Sequence, residues 1–301
     1  MDLQPKLLDL GRPLRLYGTT PPRAGTPADQ VDTAASKLAA RLASLAPDAL
    51  VVYDIQDETG RAEQPRPFPF TGTVDPRDYA RFFAVPTIVY KALGNVDEAA
   101  WQAWLDDSRG VQFLSIVGRP AAGKYALPLS RAIRLASAHT AGFTIGGVVI
   151  AERHTAERSE AARLLAKGIE GCRYFISQTV YQAPPTERLL ADYLRDCRGA
   201  GVEPRRIILS FAPVGREKTL AFLRWLGVNV APETEREILG AARPLAQSIR
   251  ICRDNLRRIL DGKYASQIPL GVNVESVSIN RDEIDASVEL FHALGEVLQG
   301  K

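Results

Sequence analysis

Short runs of apolar, largely β-branched residues alternate with longer amphipathic stretches along the whole chain. Most of these runs are hydrophobic at nearly every position, which is typical of parallel strands covered on both faces. The pattern therefore predicts eight strands: Leu14–Thr19, Ala49–Ile55, Thr87–Ala92, Val111–Val117, Thr144–Ile150, Arg173–Gln178, Arg206–Phe211 and Val272–Ile279.

Helical periodicity fills the segments between the predicted strands. Asp97 and Asp282 are suited to cap helix N-termini, and Gly199 and Gly227 are suited to end helices. The predicted helices are Pro27–Leu45, Asp97–Asp107, Pro128–His139, Ala156–Lys167, Thr186–Gly199, Glu217–Leu226 and Asp282–Leu298.

The number and order of these elements indicate the fold class. Eight successive βα units favour a closed (β/α)8 TIM barrel over an open doubly wound sheet. The segment Glu233–Leu260 adds extra helical pattern before the last strand. We therefore predict an α/β protein with one TIM barrel domain over residues 1–301 and a helical insertion before strand eight.

Composition and charge argue against several classes of protein. The 38 basic and 35 acidic residues leave a net charge of +3, which gives no sign of a nucleic-acid footprint. The longest nearly uncharged run, Phe143–Ala151, is shorter than the ~20 apolar residues that cross a bilayer. Three scattered cysteines fit neither a disulfide framework nor a metal site, and the N-terminus lacks the pattern of a secretory signal. We expect a cytoplasmic protein without metal, membrane or nucleic-acid partners, and leave open a homo-oligomer.

One loop looks like a phosphate-binding loop. The segment Gly118–Tyr125 matches G-x-x-x-x-G-K, but its last position is Tyr125 instead of the Ser or Thr that holds Mg²⁺. Pro120 also removes one backbone N–H donor. We therefore interpret the segment as a flexible βα loop, in which Arg119 or Lys124 could contact a phosphate of a cofactor.

Several segments carry motifs of a known enzyme family. Lys167–Tyr181 contains a helix end with Lys, a small-residue turn and a strand that closes on Gln-Thr-Val-Tyr. Tyr17–Arg23 contains Pro-Pro-Arg, Cys197–Val202 reads Cys-x-x-x-Gly-Val, and Ile279–Arg281 contains Asn-Arg. Together these segments resemble the methylenetetrahydrofolate reductase family. That family is a (β/α)8 barrel that binds FAD and passes hydride from a nicotinamide to 5,10-methylenetetrahydrofolate.

The resemblance implies roles for particular residues. Gln178 and Arg281 would contact the folate, because they match the family's glutamine and arginine at that ligand. His154, Glu160 and Lys167 would hold the nucleotide part of FAD. Chemically, a lysine suits a pyrophosphate and a glutamine can donate to and accept from a pterin edge. We expect Lys167, Gln178 and Arg281 to surround one hollow at the barrel mouth.

The departures from the family pattern concern the acid of the site. The family's catalytic glutamate falls on Gly18, and the aspartate beside its flavin falls on Pro120. If an acid is required, Asp54 and Glu275 are the candidates, because burial in a barrel strand would raise the pKa of either carboxyl. The alternative is that either residue is an interior carboxylate paired with a cation such as Lys91.

The functional hypothesis is an oxidoreductase that acts on a one-carbon reduced folate. Hydride would come from NADH or NADPH, with FAD as a possible intermediary. One alternative is a folate-binding methyl transferase without hydride transfer. The other is a non-catalytic folate-binding barrel.

Overall fold

Eight parallel strands follow one another around a closed barrel in the order of the chain, and β8 pairs with β1 to close it. The computed structural model describes residues 3–9, 11–55, 65–94, 96–118 and 127–300. The strands are β1 Leu14–Thr19, β2 Ala49–Val52, β3 Thr87–Ala92, β4 Phe113–Val117, β5 Thr144–Val149, β6 Tyr174–Thr179, β7 Arg206–Phe211 and β8 Leu270–Glu275. The predicted (β/α)8 TIM barrel is therefore confirmed.

Helices connect the strands and cover the outside of the barrel, where their apolar faces pack on the outward side chains of the sheet. Their bounds are α1 Leu3–Leu8, α2 Ala28–Leu45, α3 Pro76–Ala80, α4 Glu98–Asp107, α5 Leu129–Ser137, α6 Glu160–Glu170, α7 Ala183–Gly199, α8 Glu217–Trp225, α9 Pro232–Leu239, α10 Pro244–Asp261 and α11 Arg281–Gln299. Helices α9 and α10 form the predicted insertion before the last strand.

Some predicted boundaries differ from those observed. The last strand begins at Leu270 and ends at Glu275, because Leu270 pairs with β7 and Gly271 with β1, while residues after Glu275 leave the sheet. Asp97 caps α4 as predicted, by accepting a hydrogen bond from the Ala100 N–H. Asp282 does not cap α11. The Asn280 side chain takes that position and accepts from two backbone N–H groups of the first turn.

Side chains alternate between the two faces of each strand, and this alternation divides the interior from the helix layer. On β1, Leu14 and Leu16 belong to the cluster that fills the barrel, whereas Tyr17 packs outward against α11. The same spacing aligns Gly18 with Glu275 of β8 as paired inner positions near the C-terminal ends. The inner face is thus apolar at depth and polar at the mouth.

Helix α1 closes the N-terminal end of the barrel, which the sequence pattern did not predict. Leu3 and Leu7 are buried in the interior cluster. The Arg206 guanidinium, 1% exposed, donates hydrogen bonds to the carbonyl oxygens of Lys6, Leu7, Asp9 and Leu270. It therefore satisfies carbonyl groups at the end of α1 that the helix leaves unpaired. Burial lowers the pKa of Arg206 to about 10, so the guanidinium is charged at neutral pH.

Three further features of the described residues bear on the class of protein: cysteine pairs, metal-ligand groups and membrane-spanning helices. Cys172, Cys197 and Cys252 are free and buried. No group of histidine, cysteine and acidic residues in the described ranges is arranged to hold a metal ion. No helix within those ranges is long and apolar enough to cross a membrane.

Candidate functional site

A cavity of about 360 Å³ opens at the C-terminal ends of the strands. This is the end of a TIM barrel at which ligands bind, because the βα loops there can vary without disturbing the sheet. Its volume lies in the range of small-molecule sites. The ends of β2 to β6 and β8, together with helices α6 and α8, contribute most of the lining.

Glu275 occupies one side of this cavity, at the end of β8. Its Oε1 accepts a hydrogen bond from the Thr179 hydroxyl at 3.3 Å, and the Tyr53 hydroxyl is a polar neighbour of the carboxyl group. Burial raises the pKa of Glu275, and the hydroxyl groups of Tyr53 and Thr179 oppose that rise. The side chain thus combines burial with access to the cavity, as a general acid requires.

Gly18 explains why Tyr53 and Glu275 fit beside each other. A Cβ atom added at Gly18 would lie 2.9 Å from Cε2 of Tyr53 and 3.2 Å from Cβ of Glu275. The position that the resemblance aligned with a catalytic glutamate is therefore filled by side chains from the two neighbouring strands. A larger residue at position 18 would displace one of them.

Asp54, the second candidate acid, has a different environment. Its Oδ2 accepts a hydrogen bond from the Ala92 N–H at 2.8 Å and lies 3.6 Å from Nζ of Lys91. Burial raises the pKa of Asp54, while the Ala92 N–H and the Lys91 charge lower it. The ion pair with Lys91 was the alternative that the sequence analysis left open, and the structure contains it.

Gln178 lies near the end of β6 and lines the cavity. Its Nε2 donates to the carbonyl oxygen of Leu226 at 2.7 Å, which fixes the orientation of the amide. Its Oε1 is buried and accepts no hydrogen bond from the described residues. A buried acceptor without a partner is costly, so a ligand that donates a hydrogen bond would find an oriented group here.

A basic side faces the cavity from β5 and α6. Arg153, Arg163 and Lys167 line it together with one carboxylate, Glu160. Nζ of Lys167 donates to the Val148 carbonyl oxygen at 2.7 Å, and Nε of Arg163 lies 3.6 Å from Oε2 of Glu160. Burial lowers the pKa of Lys167, and the Glu160 charge opposes that change. Three cationic side chains with one carboxylate make this side suited to an anionic group.

Aromatic side chains of α8 form a further part of the cavity lining, the aromatic wall. Phe222 and Trp225 of α8 stack with ring centroids 6.0 Å apart, and the Arg66 guanidinium lies 5.1 and 5.3 Å from their centroids. All three line the cavity. Their flat surfaces can pack against an aromatic ring of a ligand.

The structure groups some of the predicted site residues and separates others. Asp54, Glu160, Lys167, Gln178 and Glu275 line the same cavity, which brings together positions from β2, α6, β6 and β8. The predicted grouping of Lys167, Gln178 and Arg281 holds for the first two only.

Arg281 is the residue that does not join the group. Its side chain is 92% exposed, lies 3.7 Å from Asp285 one helical turn away, and is not part of the cavity lining. The strand that was predicted to reach Ile279 ends at Glu275, so the chain turns outward before Arg281 begins α11.

His154 also faces away from the cavity lining. Its Nδ1 accepts from the Glu160 N–H at 3.2 Å, so the ring proton lies on Nε2, which donates to Asp192 at 2.9 Å. Both ring nitrogens are thus occupied in joining the start of α6 to α7. Arg119 and most of the loop that resembles a phosphate-binding loop lie outside the described residues. The described part of the predicted FAD set does not present the histidine to a ligand, and binding of FAD stays a prediction.

Sequence reasoning missed Tyr53, Arg66, Arg153, Arg163 and the aromatic pair of α8. A signal existed for Tyr53, because it continues the inward alternation of Ala49 and Val51 at the end of β2. Arg66 follows no periodic pattern, and only the folding of its loop over α8 brings it to the cavity.

The fold and the cavity together define a (β/α)8 barrel with a cavity of small-molecule size at its mouth. A solved structure of this shape is an uncharacterized protein from Clostridium thermocellum that binds two copies of 5-methyl-5,6,7,8-tetrahydrofolic acid. The similarity has a TM-score of 0.83 and 28% sequence identity, and it covers 98% of this chain and 99% of that chain. No protein-family model and no curated protein matches this sequence. Membership of the methylenetetrahydrofolate reductase family therefore stays a prediction.

Proposed function

We propose that this protein binds a reduced folate, such as 5-methyltetrahydrofolate, in the cavity at the barrel mouth. The observation that carries the proposal is the lining of this cavity, which has three kinds of group. They are Glu275 with Gln178 (the acidic side), the rings of Phe222 and Trp225 (the aromatic wall), and Arg153, Arg163 and Lys167 (the basic side). A reduced folate has three matching parts: a pterin rich in N–H donors, an aminobenzoyl ring and an anionic glutamate tail. The folate bound by the Clostridium thermocellum protein supports the same ligand class.

The pterin belongs at the acidic side. Its amide and amino N–H groups need acceptors, and the carboxyl oxygens of Glu275 and the unpartnered Oε1 of Gln178 are available there. Hydrogen bonds to these groups would satisfy the buried oxygen of Gln178. This placement gives Gln178 the folate contact that its sequence position implied.

The tail belongs at the basic side, near Lys167 and Arg163. These residues follow β5, which lies across the cylinder from β1 and three strands from β8. An eight-stranded barrel is about 15 Å across between backbones, which is comparable with the length of an extended folate. The aminobenzoyl ring would then pack along Phe222 and Trp225.

One-carbon chemistry on the bound folate is the finer part of the proposal. The resemblance favours reduction by hydride from NADH or NADPH, and the buried acid at Glu275 is suited to proton transfer in such a reaction. The engagement of His154 with Asp192 and α6 favours a reaction that does not pass through FAD. Methyl transfer without hydride transfer is the second candidate. The hydrogen bonds of His154 favour it as well, because methyl transfer needs no FAD.

Calorimetric titration of the purified protein with 5-methyltetrahydrofolate tests the binding proposal. We expect saturable binding, and much weaker binding of a tetrahydropterin that lacks the aminobenzoyl-glutamate part. Lys167→Met should weaken binding of the complete folate but not of the tetrahydropterin, because only the complete folate carries carboxylates. Absence of folate binding would refute the proposal.

The chemistry needs separate measurements. Oxidation of NADH or NADPH that depends on 5,10-methylenetetrahydrofolate would support the reductase. A visible flavin spectrum of the protein would support FAD, and a colourless protein with reductase activity would exclude it. Folate binding without nicotinamide oxidation would favour methyl transfer or binding alone.

A further inference from the structure

Three carboxylates among the described residues line the cavity, and their partners distinguish them. Asp54 is paired with Lys91 and Glu160 with Arg163. Glu275 is the one carboxylate among the described lining residues that forms no ion pair with a lysine or arginine. The pKa of Glu275 is therefore set by burial and by neighbouring hydroxyl groups, which carry no charge.

The hydroxyl group of Tyr53 is held between Glu275 and Asn273. Nδ2 of Asn273 donates to Oη of Tyr53 at 2.7 Å and lies 3.2 Å from Oγ of Ser210. Since a tyrosine has a single hydroxyl proton, and its oxygen already accepts from Asn273, that proton is available to the Glu275 carboxyl group. Asn273 therefore orients the Tyr53 hydroxyl, and Glu275 is the carboxyl group beside it.

Packing leaves the Tyr53 ring little freedom to turn away. It meets the Tyr90 ring edge to face, with centroids 4.8 Å apart, and it lies over Gly18, where no Cβ would fit. The groups that face Glu275 are Tyr53 after β2, Tyr90 of β3 and Thr179 of β6. None of these three carries a charge at neutral pH.

We propose that Glu275 is the acid–base group that faces the folate, and that Tyr53, oriented by Asn273, is its positioning residue. This inference rests on the proposed folate site and assigns the proton-holding role to Glu275 instead of Asp54. Through its hydroxyl group, Tyr53 stabilises the ionised form of Glu275 and sets the pH at which the carboxyl group exchanges its proton. The arrangement places this acid on β8, beside the glycine of β1.

The first test measures Glu275 without any ligand. The infrared band of its protonated carboxyl group is assigned as the band that disappears in Glu275→Gln, and it is then titrated against pH. We expect a midpoint above that of an ordinary glutamate, and a further rise of about one unit in Tyr53→Phe, the size expected for a lost hydrogen bond to a carboxylate. Tyr90→Phe removes a neighbouring hydroxyl that is not hydrogen-bonded to Glu275, so its midpoint should stay close to the wild type.

An unchanged or lower midpoint in Tyr53→Phe would overturn the positioning role. An ordinary glutamate midpoint in the wild type would overturn the role of Glu275. Far-ultraviolet circular dichroism checks that both phenylalanine variants are folded.

The second test uses the pH dependence of affinity for 5-methyltetrahydrofolate. The Glu275→Gln variant should lose the titration that the wild type shows, and Tyr53→Phe should shift it in the same direction as the infrared midpoint. An identical pH profile in wild type and Glu275→Gln would overturn the inference. If no folate binds, the proposed function fails while the infrared result still decides the Tyr53–Glu275 interaction.

Discussion

The two ends of the barrel differ in whether their buried polar groups have hydrogen-bond partners. At the N-terminal end, Arg206 donates to four carbonyl oxygens, and helix α1 covers the opening. At the C-terminal end, buried oxygens of Gln178 and Glu160 accept no hydrogen bond from the described residues. Satisfied polar groups stabilise a fold, whereas unsatisfied groups around a cavity are available to a ligand. The bottom of this barrel is therefore closed by satisfied polar groups, whereas the mouth has the unsatisfied groups that the proposed folate site requires.

The largest expected effect comes from the closed end. Arg206→Met should lower the free energy of unfolding by about 3 kcal/mol or more, because it leaves several buried carbonyl oxygens without donors. Urea denaturation followed by circular dichroism measures this change. Affinity for 5-methyltetrahydrofolate should be unchanged at temperatures where the variant is folded. A stability close to that of the wild type would contradict the closing role of Arg206.

A glycine at the mouth provides the next effect. Gly18→Ala should cost about 1–3 kcal/mol of stability, because its methyl group would displace the Tyr53 ring from a packed position. Gly199→Ala is the matched control, since an added Cβ at the end of α7 meets nothing within 4 Å. Chemical denaturation of both variants measures the difference. Equal stabilities would show that the space above Gly18 is not needed by Tyr53.

Gln178 should affect binding and leave stability nearly unchanged. Gln178→Ala removes an oriented acceptor at the proposed pterin site, so affinity for 5-methyltetrahydrofolate should fall by about 1–3 kcal/mol. Arg281→Ala is the control, because its exposed side chain lies outside the cavity lining. Calorimetry of the two variants tests the assignment. A larger loss for Arg281→Ala would restore the role that the sequence resemblance implied.

Lys167, the buried cation at the mouth, should contribute little to the free energy of unfolding. Lys167→Met should change the free energy of unfolding by no more than about 1 kcal/mol, or raise it, because it removes a charge that burial disfavours. The same substitution at Arg206 should be strongly destabilising, so comparing the two variants compares the contributions of the two ends to stability. If Lys167→Met were as damaging as Arg206→Met, the mouth would contribute to stability no less than the bottom does.

The pH dependence of this pair follows from the lowered pKa of Lys167. The unfolded chain binds a proton at Lys167 up to the ordinary pKa of lysine, whereas the folded chain releases it earlier. The destabilisation is therefore complete below the folded pKa and is relieved as the pH rises towards the unfolded value. The stability advantage of Lys167→Met should be greatest near neutral pH and shrink as the pH increases.

Much of the fold could be predicted because its signals are local. The hydrophobic runs identified all eight strands, and the Glu233–Leu260 pattern identified the insertion that became α9 and α10. Helix α1 was missed because six residues carry too little periodicity, and its stability comes from packing into the barrel.

The candidate site was predictable only in part. The resemblance selected Gln178, and the rule that ligands bind at the C-terminal ends of barrel strands selected Asp54 and Glu275, which line the cavity with it. This rule could not separate the two acids, since the ion pair of Asp54 with Lys91 depends on how neighbouring strands align. The resemblance also selected Arg281, which lies outside the cavity lining because the last strand ends at Glu275, earlier than the pattern predicted.

Local composition and periodicity were sufficient for the number, order and inward faces of the strands, since these depend on neighbouring residues along the chain. The meeting of distant side chains depended on closure of the barrel. Leu7 reaches Arg206 across 199 positions, and Glu275 stands beside Gly18 because β8 pairs with β1 in one register. Register, burial and hydrogen-bond partners arise from contacts between distant segments, so they determine the chemistry of the mouth only after the chain has folded.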